Sequence, residues 1–252
     1  MGQERFAGQV ALVTGASRGI GFGIAQRLVA EGARVCITGR NTEALDSAVA
    51  ELGGPDHAIG VAGKADRPDH QQETVERTVD TFGRLDLLVN NAGINPTYGP
   101  MIELDLDAAR KIFEVNALAA LAWTQWAHKS WLGEHGGAVV NVSSVAGERP
   151  APGIGFYGAS KAMLSHITAE LAVELGPHIR VNAVAPAVVK TRFAAALYED
   201  NEDGAAQIYP MRRLGVPGDV AGAAAFLLSA DAAWLTGQTV VVDGGVTQTG
   251  GM

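Results

Sequence analysis

The sequence predicts one α/β domain, a doubly wound parallel sheet with helices on both faces. Three observations predict it. Short β-branched runs alternate with helical patterns along the whole chain. Most of those runs are apolar throughout, as strands covered on both faces must be. The chain of 252 residues also has no repeat, low-complexity tract or linker, so residues 1–252 read as a single domain.

The strand candidates are Val10–Gly15, Ala33–Thr38, Ala58–Gly63, Leu85–Asn90, Ala138–Ser143, Arg180–Ala185 and Gln238–Asp243. The first leads into "VTGASRGIGFG", which opens a helix. Gly15, Gly19 and Gly21 there would let backbone N–H groups and the helix N-terminus approach a pyrophosphate closely. A ligand-free Gly-rich turn is the alternative, but the strand–turn–helix context favours the cradle. The second strand ends in "ITGRN". Where an acidic residue about 20 residues past the glycines would bind the ribose hydroxyls of NAD, this chain has Gly39 and then Arg40. Gly39 leaves room for a 2′-phosphate, Arg40 can pair with it, and Arg18 can assist, so NADP(H) is expected over NAD(H). Two solvated surface arginines are the alternative.

Two helices lack the polar face that a helix flanking a single sheet should show. Asp105–Leu132 contains "ALAALAW" (Ala117–Trp123), with Trp126 and Trp131 beyond, and the helix starting near Tyr157 is similarly small and apolar. A helix without a polar face must be covered on both sides, and packing against another subunit is the favoured cover.

Composition excludes several function classes. Hydrophobic residues at 47% against 18% charged mark a globular chain. The net charge of −8 argues against nucleic acid or an anionic membrane as partner, since both need a basic surface. No apolar run approaches a membrane span. The N-terminal "MGQERFAGQV" has neither a signal core nor the Ser or Thr of a myristoylation site, so a cytoplasmic enzyme is expected. Cys36 stands alone and reads as an inert core residue. The six His residues show no HExxH or Cys/His clustering, so no metal site is expected.

"TGASRGIG" (Thr14–Gly21), "NNAG" (Asn90–Gly93), Asn116 in "VNALA", Ser144 thirteen residues before Tyr157, "YGASK" (Tyr157–Lys161) and "VDGG" (Val242–Gly245) occur in order along nearly the whole chain. On these motifs the chain resembles the short-chain dehydrogenase/reductase family. The resemblance implies a seven-stranded Rossmann-type sheet and a homotetramer built on the two apolar helices. It also implies a catalytic tetrad, matched here by Asn116, Ser144, Tyr157 and Lys161. Tyr157 would be general acid or base, and Ser144 would hydrogen-bond the substrate oxygen. Lys161 would bind the nicotinamide ribose, and Asn116 would hold a water of the proton relay. A free Tyr has a pKa near ~10, and an ammonium one helical turn away is expected to lower it by ~2–3 units. Ser143 rivals Ser144, but the spacing selects Ser144.

By the same resemblance the cofactor lies on Gly15, Ser17, Arg18, Gly19, Ile20 and Gly21, then on Arg40 and Ala65. Further on, Asn90, Ala92 and Gly93 would line it, with Tyr157 and Lys161. Pro186, Val189 and Thr191 would meet the nicotinamide. The chain departs from the family at two places. Lys64 stands where an Asp commonly contacts adenine and cannot accept a hydrogen bond, which leaves the backbone of Ala65. Pro186-Ala187 replaces the usual Pro-Gly.

The segment Thr191–Arg213 lies where the family places a substrate lid; a surface helical hairpin is the alternative. The expected substrate is a small molecule carrying a carbonyl or secondary alcohol on a largely apolar body. The alternatives are a 3-oxoacyl-thioester reductase of fatty-acid synthesis, a non-catalytic NADP-binding regulatory protein, and an epimerase or dehydratase on the same scaffold. Family members that reduce carrier-bound substrates dock acyl carrier protein on arginines. The matching stretches here, Leu132–Ala138 and Glu174–Arg180, offer only His135, His178 and Arg180. Free substrates or coenzyme A thioesters are therefore expected over carrier-protein substrates.

Overall fold

The computed structural model describes residues 4–249. Seven parallel strands form one sheet in the order β3-β2-β1-β4-β5-β6-β7. They are β1 (Val10–Val13), β2 (Arg34–Gly39), β3 (Ala58–Ala62), β4 (Leu87–Asn90), β5 (Gly137–Val142), β6 (Ile179–Pro186) and β7 (Thr239–Val242). Each falls on a strand candidate, with ends displaced by no more than two residues. The order reverses between β1 and β4, where the chain crosses to the other side of β1. That switch point opens a crevice at the carboxyl ends of the strands.

Alternation along each strand feeds two apolar layers. Ala11 and Val13 face a layer built with α1 (Gly19–Ala30), α2 (Thr42–Glu51) and, from the far end of the chain, α9 (Pro217–Leu228). Leu12 faces the other way, into a layer that includes Val75 of α3 (Pro68–Phe82), Trp123 and Leu171. Local signals bound the helices. Asn41 caps α2 by accepting from the Ala44 N–H, Pro68 opens α3, and Gly83 closes α3 at φ +77°.

The long apolar helix has four joined parts before its last short turn. Helix α4 (Leu106–Phe113) runs into a π turn (Glu114–Leu118), then α5 (Ala119–Ala127), then a second π turn (His128–Leu132) and α6 (Gly133–His135). Asp105 caps it, accepting from the Asp107 N–H. The structure corrects the reason for its apolar surroundings. Helix α5 lies between α3 and the sheet, and Trp123 is buried by this chain alone. The Trp123 indole donates to the Ala65 carbonyl at 3.0 Å and meets the His70 ring edge-on at 5.6 Å. A covering helix within the chain, not only a neighbouring subunit, accounts for Ala117, Ala119, Ala120 and Trp123.

Helix α7 (Gly155–Leu175) turns Leu164, Leu171 and Ala172 inward and leaves Met163 and Val173 exposed. After β6, residues 191–213 form a short 3-10 turn (Ala195–Leu197) and α8 (Glu202–Gln207) before α9.

Candidate active site

The turn between β1 and α1 is shaped for a ligand that approaches main chain. Gly15 and Gly19 have φ of +63° and +62°. A Cβ on Gly15 would lie 2.9 Å from Ala92 Cα; one on Gly21 would run into Asn91 Nδ2 and sit 2.9 Å from the Gly15 oxygen. Helix α1 begins at Gly19 with no side-chain cap, so its first N–H groups are free of side-chain partners. Thr191, beyond β6, comes over this turn: a Cβ on Gly19 would be 3.4 Å from Thr191 Cγ2. These residues fit a dinucleotide pyrophosphate, an anion held by oriented N–H groups and a helix N-terminus.

Two side chains brace the turn. Asn91 Nδ2 donates to the carbonyls of Thr14 (2.9 Å) and Gly15 (3.0 Å), and Thr14 Oγ1 accepts from the N–H groups of Asn91 and Ala92. Asn90, just before them, turns the other way. Asn90, expected at the cofactor, is buried, and its Nδ2 donates to Asn141 Oδ1 (2.9 Å), the Ala120 carbonyl and Thr124 Oγ1. Any contact from Asn90 to a cofactor is left to its main chain. Asn91, the next residue of the same motif, braces the cradle and was not singled out in the sequence; period-two alternation past β4 separates the two.

The 2′-phosphate candidates stand at the mouth. A Cβ on Gly39 would be 3.1 Å from Ser17 Oγ, so glycine lets the end of β2 approach the turn. Arg18 and Arg40 are exposed and make no ion pair among the described residues. Ile20 packs on the core layer of α1. The Ala65 carbonyl is spent on Gln71 Nε2 (2.8 Å) and Trp123, leaving its N–H for a ligand, while Lys64 is exposed.

The four tetrad candidates converge at the carboxyl ends of β4 and β5. Tyr157 and Lys161 sit one turn apart in α7. Lys161 is buried; its Nζ donates to the Val142 carbonyl at 2.8 Å and lies 5.8 Å from the Tyr157 ring centroid. Burial pushes the Lys161 ammonium down to about 8. Burial pushes the Tyr157 phenol up to about 12, opposed by the Ser144 hydroxyl and reinforced by repulsion from Tyr98. This reverses the expectation that Lys161 holds the phenol below its ordinary value. Burial disfavours the charged form of both groups, and the ammonium is hydrogen-bonded to Val142 rather than to the phenol.

Ser144 follows β5, and its Oγ accepts from the Ala146 N–H. Ser143 is buried and bonded to the Lys161 carbonyl and Ser165 Oγ, so the half-buried Ser144 is the available hydroxyl. Asn116 occupies the π turn Glu114–Leu118. Its Nδ2 donates to the Ile94 carbonyl and Ser160 Oγ, both at 3.0 Å, and its Oδ1 accepts from the Ile94 N–H at 2.8 Å. The side chain thus clamps the strap after β4. Gly93 is the junction: a Cβ there would be 3.4 Å from both Asn116 Oδ1 and Lys161 Nζ.

Pro186 ends β6, Val189 is buried and bridges to Gly215, and Thr191 Oγ1 donates to the Val189 carbonyl at 3.2 Å. The Phe193 ring, next along, lies 6.0 Å from the Tyr157 ring. A cavity of about 260 Å³ borders Tyr157 between Tyr98, Pro100, Met101, Leu104 and Ile154. It shares the wall Gly99–Met101 with a larger apolar cavity of about 800 Å³ against Ala159 and Ala162. No cluster of three potential metal ligands occurs among the described residues.

Known proteins resemble this chain along nearly its whole length. A family model described as "Enoyl-(Acyl carrier protein) reductase" matches residues 15–247. Dehydrogenase/reductase SDR family member 4 of Caenorhabditis elegans is 39% identical, with 96% of each chain covered. Tropinone reductase-like 3 of Erythroxylum coca is 38% identical over 96% of this chain and 94% of its own. A short-chain type dehydrogenase/reductase of Mycobacterium ulcerans superposes with a TM-score of 0.91 at 34% identity, covering 96% of this chain and 91% of that one. The glycine cradle, the Ser144–Tyr157–Lys161 grouping and these likenesses place the chain in the short-chain dehydrogenase/reductase family, as an NAD(P)-dependent oxidoreductase acting on CH–OH and C=O groups.

Proposed function

We propose that this chain is an NADP(H)-preferring reductase of ketones or aldehydes on largely apolar small molecules. One observation carries the reading: Tyr157, Ser144 and Lys161 meet beside the glycine cradle, and Tyr157 borders a cavity that adjoins a larger, apolar one. A bound nicotinamide supplies the hydride, or takes it back in the reverse direction. The chain's own residues handle the oxygen and its proton. Ser144 donates a hydrogen bond to the carbonyl oxygen, and Tyr157 gives it a proton as charge develops there. A phenol pushed up to about 12 is fully protonated at neutral pH, the form reduction needs. Lys161, charged below about 8, offsets the phenolate left behind and offers N–H donors to the ribose. Asn116 keeps the strap that borders the site at a fixed height.

The exposed Arg40 and Arg18, with Gly39 between strand and turn, support NADP(H) over NAD(H). Residues 191–213 act as a lid: Phe193 already reaches the Tyr157 ring, and Leu197 and Ile208 are exposed apolar groups on the same segment. The apolar walls favour the apolar carbonyl reading over the sugar substrate named for a Brucella melitensis glucose/ribitol dehydrogenase, which is 30% identical with a TM-score of 0.92. We place the enzyme in the cytoplasm as a homotetramer. The exposed Val173 and Trp234 support the assembly.

The test is a panel of ketones, aldehydes, oxoacyl thioesters and alcohols with both cofactors, followed at the nicotinamide absorbance. Turnover of apolar ketones with NADPH is the expected result. Turnover confined to sugars, or none with any carbonyl, would refute the reading.

A further inference from the structure

Residues 94–99 form a strap tied at both ends to the catalytic elements. At one end Asn116 holds both main-chain groups of Ile94. At the other the Gly99 N–H donates to the Gly153 carbonyl at 2.9 Å, two residues before α7 begins. Between the anchors stands Tyr98, 54% exposed, on the wall of the same cavity of about 260 Å³ as Tyr157. Its hydroxyl makes no hydrogen bond to the described residues. Tyr98 and Tyr157 both line that cavity. A ring carried on a strap pinned at both ends presents its hydroxyl at little cost in entropy. Of the rest of the lining, Pro100, Met101, Leu104 and Ile154 offer no side-chain donor, while Asn95 and Thr97 of the same strap do.

We infer that Tyr98 is a specificity-determining residue whose hydroxyl binds a second oxygen of the substrate, carried by the carbon next to the reacting carbonyl. The inference rests on the carbonyl-reductase reading above. Ser144 and Tyr157 are committed to the reacting oxygen, which leaves Tyr98 as the remaining phenol on that wall. A phenol both donates and accepts, so the second oxygen is recognised as a hydroxyl or as a carbonyl. That oxygen does not change charge during hydride transfer, so Tyr98 binds ground state and transition state alike. Its loss therefore appears in KM rather than in kcat.

The experiment compares 1-hydroxy-2-octanone with 3-nonanone, which differ by a hydroxyl in place of a methyl group. With NADPH, Tyr98→Phe should lower kcat/KM on the hydroxyketone about tenfold, through KM, as expected for one lost neutral hydrogen bond. The same variant should stay within about twofold of wild type on 3-nonanone and bind NADPH unchanged. Tyr98→Ala, which also removes the ring, should weaken both substrates. Equal changes on the two ketones in Tyr98→Phe, or none, would overturn the inference and leave the carbonyl reading standing. So would a wild-type enzyme that reduces other ketones but not the hydroxyketone. A wild-type enzyme that reduces no carbonyl removes that reading, and this inference with it.

Discussion

Lys161 Nζ and the Val142 carbonyl are hydrogen-bonded at 2.8 Å, which fixes the ammonium at the carboxyl end of β5. Buried there, the amine is pushed down to about 8 while Tyr157 is pushed up to about 12. The resting pair is therefore poised with the phenol protonated, and the lysine changes charge close to physiological pH.

Tyr157→Phe keeps the ring and removes the proton. Turnover should fall at least ~10²-fold, the usual scale of general acid–base catalysis, with cofactor affinity retained. Single-turnover kinetics beside a cofactor titration separate the two effects. Near-normal turnover would remove Tyr157 from the chemistry.

The two directions of reaction should respond to pH with opposite slopes. Reduction needs the protonated phenol, present throughout the range below about 12, and a charged Lys161, lost as pH rises through about 8. Reduction should therefore decline above about 8. Alcohol oxidation needs the phenolate, whose share rises with pH all the way to about 12, so oxidation should climb over the same interval. Profiles of kcat for both directions on one buffer series decide it; parallel profiles would contradict the assignment.

NADPH should bind more tightly than NADH, because Arg40 and Arg18 are free to pair with a 2′-phosphate. Charge-assisted contacts of this kind contribute ~1.5–3 kcal/mol each. Arg40→Asp should reverse the preference, adding repulsion of the phosphate and an acceptor for the ribose. Equal affinities in the wild type would make Arg40 a solvated surface charge.

Light scattering at micromolar concentration should report a tetramer. Trp234 is 99% exposed and Val173 83% exposed on the single chain, apolar area that a lone molecule gains nothing by showing. A mass matching one chain would dismiss the assembly.

One 3-oxoacyl group presented on coenzyme A should be reduced at least as well as on acyl carrier protein. Arg180, the one guanidinium in the two stretches where a carrier would dock, is turned inward. It donates to the carbonyls of Leu227 (2.6 Å), Leu228 (3.1 Å) and Ser229 (2.9 Å) at the end of α9. The net charge of −8 adds long-range repulsion toward an acidic carrier. A much higher kcat/KM on the protein-bound form, falling as salt rises, would reveal a basic docking site elsewhere.

The sheet and the cradle were legible in the sequence because each is written locally. A strand shows as an apolar run, and the glycines of Gly15–Gly21 mark backbone that a Cβ would obstruct. What was not legible depends on partners far along the chain. Asn90 and Asn91 are alike as letters, and only the pairing of Asn90 with Asn141 across β4 and β5 decides which one turns inward. Trp123 reads as an interface residue until α3 is seen to cover it. The titration of Tyr157 depends on how deeply its neighbours bury it, which four-residue spacing to a lysine does not report.

The π turn at Glu114–Leu118 is an α-helix carrying one residue too many. Its extra residue bulges the helix at Asn116, whose side chain holds both main-chain groups of Ile94. The tether on the Tyr98 strap is thus set by an insertion within a helix rather than by an element of its own. Closing that bulge into regular α-helix would turn Asn116 away from Ile94 and release the grip that holds the wall bearing Tyr98 still.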